Sequence, residues 1–421
     1  MKIRINHRNS ERGTVLMVTL FIAVMFGIFL FSYLNIVGQQ KSVVSRSQAW
    51  NAALAIAEAG GEEALAQLNP GTPLPAILDR TANGWGNPSG GIYGPVSRSL
   101  SGGSYSVCFT TNIWPVIYCT GTVSVASARG TLTRVVRIGT TNVPLFSVAL
   151  GAKYNLNFNG NNVNTDSFNS YDTNAWTSST PQGTNGSIAS ITGVVSVGNA
   201  NVHGSVYLGP SATDSIKNNG FVTGGTYNDF NADFPDVVLP ANTASWLVPL
   251  PVPTIVDGVT YLYAFFSSGD YQIMGALSGN IYVGTNATVR LLINGSASPG
   301  AIRVAGPGLN SGKLTLYLNG PSFSLSGSSS VDGGVANNLT YLGTSNNTSI
   351  TMSGNAEFIG TIYAPDANLT LSGGGNNNVD VVGSMITAST TINGHFNFHF
   401  DEALLSNGPA RAYIANSWGE L

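Results

Sequence analysis

Residues 14–40 carry no charged side chain, and Val15 to Val37 form a nearly unbroken apolar run. At about 1.5 Å per helical residue such a run reaches roughly 35 Å, enough to cross a hydrocarbon core of about 30 Å. A cleavable secretory signal has a shorter apolar core, roughly 7–15 residues, followed promptly by a small-residue cleavage site. The pattern therefore predicts a membrane-spanning helix. Beyond it the period changes but the helix does not stop. Val43, Ser47, Trp50, Leu54, Ala57, Gly61, Leu65 and Leu68 recur at helical spacing with polar residues behind them, which predicts an amphipathic continuation to about Asn69. Pro70 and Gly71 end it. Gly60 and Gly61 interrupt it, each costing about 1 kcal/mol relative to Ala, so they imply a bend or the close approach of a sheet.

After a loop rich in Pro, Gly, Asn and Ser (70–103), strand-like runs occupy 104–110, 116–125 and 129–139. "GTLTRVVRIG" alternates apolar and polar residues as a half-exposed strand does. A long helix with a small antiparallel sheet closes a first region near residue 140. From 141 onward the phrases "VHGSVYLGP", "LSGNIYVG", "MSGNAEFIGTIYAP" and "INGHFNFHF" vary one unit. Its apolar–Ser/Asn–Gly starts fall at Leu325, Met352, Leu371 and Ile392. Units of about twenty residues with short β runs and Gly/Asn corners predict a β-solenoid, right-handed β-helix-like, in which each rung buries its apolar face only against its neighbours. The irregular spacing leaves a β-sandwich as the alternative. The predicted class is mainly β, with regions 1–13 (basic leader), 14–69 (transmembrane and stem helix), 70–140 (antiparallel head) and 141–421 (solenoid).

Composition agrees with that class. Only 9 % of the 421 residues are charged, with 51 Gly and 43 % hydrophobic residues, so hydroxyls and amides must cover the surface. Residues 1–140 hold eleven Lys/Arg against five Asp/Glu, and 141–421 hold six against fifteen. An acidic body lacks the basic face a nucleic-acid partner requires. Lys2, Arg4, Arg8 and Arg12 precede the apolar run, which by the positive-inside rule keeps the N-terminus cytoplasmic and exports the remainder to the periplasm or cell surface. If "YSVCFT" and "VIYCTG" form a hairpin around Ile113 and Trp114, Cys108 and Cys119 face each other. A directly opposed pair lies within disulfide reach, and an oxidising compartment preserves the bond; two buried free thiols are the other reading.

"RGTVLMVTLFIAVMF" followed by "LAIAEAGGEEAL" resembles the N-terminal region of type IV pilin-like proteins of the PilX minor-pilin kind, and is similar to the tip pseudopilin of type II secretion. The resemblance implies a prepilin peptidase cut between Gly13 and Thr14, after which the apolar helix becomes the stem of a filament. Most pilins carry Glu at the fifth mature position; this chain has Val18. That carboxylate meets a neighbouring subunit's terminal amine, and a buried amine without a partner is costly, so Val18 implies a minor or tip subunit. Residues 145–421 also resemble an uncharacterised C-terminal domain found behind PilX-type stems in bacterial surface proteins.

Candidate chemistry is sparse. In "HFNFHFDE" a strand places His395, Asn397, His399 and Asp401 on one face and Phe396, Phe398 and Phe400 on the other. Residues four apart along a strand are about 13 Å apart, too far to share a metal ion. "GGGNNNVDV" (373–381) is a degenerate calcium nonapeptide, with Asn376 and Asn378 where Gly and Asp belong, and the acids of "DFNADFPD" (229–236) read as a solvated loop. Lys153, Lys217, Arg290, Arg303, Lys313 and Arg411 are scattered singly, whereas a polysaccharide-cleaving solenoid needs converging acids with cations nearby. No nucleotide, nucleophile-elbow or metalloprotease motif is present. The expectation is a structural or adhesive subunit, not an enzyme, with no cofactor or metal. Its partners would be other pilin-like subunits through the stem, membrane lipid, and surface glycans met by aromatics such as Trp176, Tyr207 and Tyr363. The alternative is an anchored surface protein outside any fibre, and a third class is a carbohydrate-active β-helix enzyme.

Overall fold

A computed structural model of the chain describes residues 11–69, 84–86, 88–125, 130–160, 163–171, 183–217, 219–240, 242–306, 311–327, 329–373 and 379–421. Two compact units emerge: 1–66 with 81–140 and 415–421, and 67–80 with 141–414.

In the first unit, helix α1 (Glu11–Leu68) runs without a break. Strands β1 (Ile92–Leu100), β2 (Gly103–Thr110), β3 (Val116–Val125) and β4 (Gly130–Pro144) form an antiparallel meander. Strand β1 lies inside the stretch expected as a loop. A fifth strand, the C-terminal segment Ala410–Glu420, lines up beside β4. The end of the chain, expected in the solenoid, thus returns to the head sheet. Everything from 145 to 409 is an insertion between two neighbouring strands of one small sheet.

The helix meets the sheet along Ala49, Ala53, Ile56, Ala57, Gly60, Gly61 and Ala64. The predicted stripe is buried at Ala57, Gly61 and Leu68, whereas Val43 and Trp50 are exposed and Leu54 and Leu65 are only half-buried. The reason is distance. A Cβ on Gly60 would collide with Cys119 and Tyr105, one on Gly61 with Ile138, and one on Gly121 with the helix backbone at Ala53 and Ala57. At such separation Ala and Gly make up most of the line, with Ile56 reaching toward Gly103 of the sheet. Of the two readings of the glycine pair, close approach is the one observed.

The second unit is a three-faced β-helix of parallel ladders, which excludes the sandwich. One inward line runs Leu291, Leu316, Tyr341, Ile362, Met385, Leu150, Ile188, Val206, all in one buried cluster. On a second face Leu325, Met352, Leu371 and Ile392, the four repeat starts, stack in register and continue to Phe158. The unequal repeat lengths are absorbed at the corners, where rungs differ in loop length but not in strand position. Asparagines line corners, with side-chain bonds from Asn164 to Asn397 (3.1 Å), Asn201 to Asn164 (3.0 Å) and Asn319 to Asn294 (3.0 Å).

Spatial order differs from chain order. The first rung (150–168) stacks on the last (384–401), so chain entry and exit meet inside the stack and close a seam. From the seam the rungs proceed through 188–198 and 206–216 to Phe221–Tyr227. The chain then travels back along the outside as a strap and re-enters at the far end with Tyr263–Phe265 and Gly269–Ile273. The strap covers outward residues that would otherwise be exposed apolar surface: Phe234, Val237 and Trp246 pack with Leu292, Tyr317, Leu342, Tyr363 and Ile386.

Candidate functional site

The most exposed apolar feature of the chain is the outer half of α1. Val15, Leu16, Phe21, Phe26, Phe29, Phe31 and Tyr33 are each more than 60 % exposed, a display no water-facing helix sustains. Among the described residues it is the one helix long and apolar enough to cross a membrane. Gly13 and Thr14 lie within the continuous helix, and Val18, 57 % exposed, sits on its free surface. Residues 1–10 of the basic leader are outside the described residues.

Two polar clusters hold the inner half of the helix in place. The Glu63 carboxylate accepts hydrogen bonds from the Tyr105 hydroxyl (2.5 Å), Arg98 (3.0 Å) and Trp85 Nε1 (3.3 Å). Burial pushes the Glu63 carboxyl up, but these donors outweigh it and leave it below the ordinary carboxylate range. Burial, and then the bond to Glu63, push Tyr105 up to about 12. Arg134, on the helix-facing side of β4, grips Glu420 of the C-terminal strand through both nitrogens of its fork, with Nε–Oε1 at 2.5 Å, and lies 4.6 Å from the Trp50 ring centroid. Bidentate pairing of this kind fixes orientation as well as charge. Neither cluster was legible in the sequence, because Glu63–Tyr105 and Arg134–Glu420 are distant in the chain. Arg134 at an apolar position of an alternating strand was the available signal.

The cysteines do not meet. Register sets Cys119 opposite Val107 and Cys108 opposite Tyr118, one residue away from the expected pairing. In a strand pair a one-residue slip turns side chains to opposite faces. Both thiols are free, Cys119 buried against the helix and Cys108 half-buried. Burial first, then nearby Cys108 and Glu63, push the Cys119 thiol up to about 12.

The His face also differs from expectation. Phe396 and Phe398 enter the core, and on the opposite face, where alternation suggests exposure to solvent, His399 and Asp401 are buried too. His399 Nδ1 lies 2.6 Å from Asp166 Oδ1, directly across the seam. Asp401 accepts the Ser170 and Ala403 amides at 3.0 and 3.1 Å; burial nonetheless raises its pKa. Glu402 accepts the Ser167 hydroxyl and the Asn185 amide at 2.7 and 2.8 Å. Asp166 comes from the first rung and His399 from the last, so no spacing rule links them. Among the described residues no group of three His, Cys, Asp or Glu is placed to hold a metal ion.

Of the proposed glycan-facing aromatics, Tyr363 is buried beneath the strap and donates to the Pro235 carbonyl (2.7 Å). Tyr207 stacks on Tyr227 with centroids 5.6 Å apart, and Trp176 lies outside the described residues, as do Asn376 and Asn378. In "DFNADFPD", Asp236 pairs with Lys153 (3.3 Å), which also pairs with Asp366 (2.9 Å). Arg290 and Arg303 are likewise paired, with Asp270 and Asp257.

Residues 265–407 match a family model described as a domain of unknown function (DUF7305). That span covers the returning rungs and stops short of the rungs on the other side of the seam. No curated protein matches the chain. A solved structure, the competence-associated pilin ComZ from Thermus thermophilus, aligns with 12 % identity over 88 % of this chain and 96 % of its own, at a TM-score of 0.29. The functional reading therefore rests on this chain's own geometry.

Proposed function

We propose that the chain is an exported pilus-related subunit whose α1 stem packs with other apolar stems and whose β-helix is displayed outside the cell. The observation that carries this is the division of one continuous helix. Its inner half packs closely on a sheet through a line made mostly of Ala and Gly, and its outer half offers only apolar surface. A mere membrane anchor needs the second property and not a rigid, sheet-clamped continuation. Val18 supports a minor or tip position: an apolar fifth residue after Gly13 offers no carboxylate to a neighbour's terminal amine. The role proposed is structural; the burial and mutual bonding of the ionisable pair at the seam, His399 with Asp166, support it.

The test is the mature N-terminus, read by mass spectrometry of protein from cells with and without prepilin peptidase. A start at Thr14 that vanishes without the peptidase supports the reading. An intact Met1 in both strains leaves the alternative, an anchored surface protein outside any fibre.

A further inference from the structure

The strap turns back into the stack through "VPLPVPTIV", residues 248–256. Proline at every second position (249, 251, 253) stiffens that run, since each ring fixes its own φ and restricts the residue before it. Opposite it stand the first strands of the terminal rung. Between the two walls is a pocket of about 380 Å³, within the range of ordinary small-molecule sites.

One wall is aromatic. Tyr263, Phe265, Phe266 and Tyr271 line it, with Phe265 braced on Tyr271 (4.5 Å between centroids) and Phe266 against Tyr282 (5.8 Å). Phe266 is 62 % exposed and Leu250, on the proline wall, 79 %. Four lining side chains carry hydroxyls, Thr254, Tyr263, Ser267 and Tyr271, and none of the described lining residues is charged. The adjacent Asp270 is neutralised by Arg290, whose Nε lies 2.6 Å away.

We infer that this end-rung pocket binds a neutral saccharide. The lining asks for a ligand with apolar faces to lie on rings and hydroxyls to exchange with hydroxyls. Thr254 already donates to the Val252 carbonyl (3.2 Å), but an acyl chain would cover the Tyr263, Ser267 and Tyr271 hydroxyls with nothing to exchange with, at a cost, and a charged ligand would find no counter-ion. The proline wall and braced rings pre-form the site, so little ordering is needed on binding. The inference is independent of the filament reading: it holds for an anchored surface protein equally.

The experiment uses the full chain in detergent micelles, titrated calorimetrically with neutral hexasaccharides of glucose, mannose, galactose and N-acetylglucosamine, with a hexauronate as comparator. At least one neutral hexasaccharide should bind, with Phe266→Ala weakening it about tenfold or more through loss of ring stacking. Phe266→Tyr should restore it, which separates stacking from folding. Binding of no neutral hexasaccharide, tighter binding of the hexauronate, or neutral binding indifferent to Phe266→Ala would each overturn the assignment.

Discussion

Gly60 offers the sharpest test of how stem and sheet are joined. A methyl added there would sit 2.7 Å from the Tyr105 ring carbon Cδ2 and closer still to Cys119 Sγ, where carbon atoms normally rest about 3.5–4 Å apart. Both neighbours are buried and cannot swing into solvent, so helix and sheet must separate locally. Overpacking of this kind costs about 1–3 kcal/mol, while replacing a mid-helix Gly by Ala returns about 1 kcal/mol of propensity. The net expectation for Gly60→Ala is a loss of up to roughly 2 kcal/mol. Gly38→Ala, on a stretch of the same helix with nothing within 4 Å of the added carbon, keeps the propensity gain alone and should be neutral or stabilising. Hydrogen exchange of the β2 and β3 amides in the full chain reads the difference locally. Adding Cys119→Ala to Gly60→Ala removes one of the two collisions and should recover part of the loss, a coupling of about 0.5–3 kcal/mol. If Gly60→Ala protects those amides as well as Gly38→Ala does, the close-approach argument is wrong.

Three further outcomes follow from the same geometry. Glu63 is held below its ordinary carboxyl value of 4.5, so the stability it lends is complete above that value and lost as pH falls through the lower folded one; Glu63→Gln should flatten the acid limb of a thermal-stability profile against pH, and an unchanged limb would count against the cluster. His399→Ala leaves the buried Asp166 carboxylate without its 2.6 Å partner and should cost roughly 3 kcal/mol, with exchange rising first in seam strands 164–168 and 396–401; rates raised equally in all rungs would argue against a local seam. Under denaturing, non-reducing conditions thiol titration should find two free thiols, with Cys119 unreactive in the native chain because it is buried and its pKa is pushed up to about 12; a mass two hydrogens lower would restore the disulfide.

What the chain's own pattern determined is local and periodic. An uncharged run predicts a spanning helix whatever follows it, because length and burial cost do not depend on tertiary contacts. Leu325, Met352, Leu371 and Ile392 could be matched as rungs from sequence because each occupies the same strand position just before a corner, and stacking in register is the only way for such units to bury their apolar faces. Tertiary structure alone decided the rest. Which stripe of α1 is buried depended on how near the sheet lies, and that distance selected Ala and Gly over Val43 and Trp50. Whether Cys108 and Cys119 meet depended on a one-residue difference in hairpin register, which the local pattern does not fix. Above all, His399 and Asp166 became a buried pair, and Glu420 a partner of Arg134, because the solenoid closes on its own first rung and hands its last strand back to the head. A chain that returns to where it began brings together residues that no spacing along it can connect.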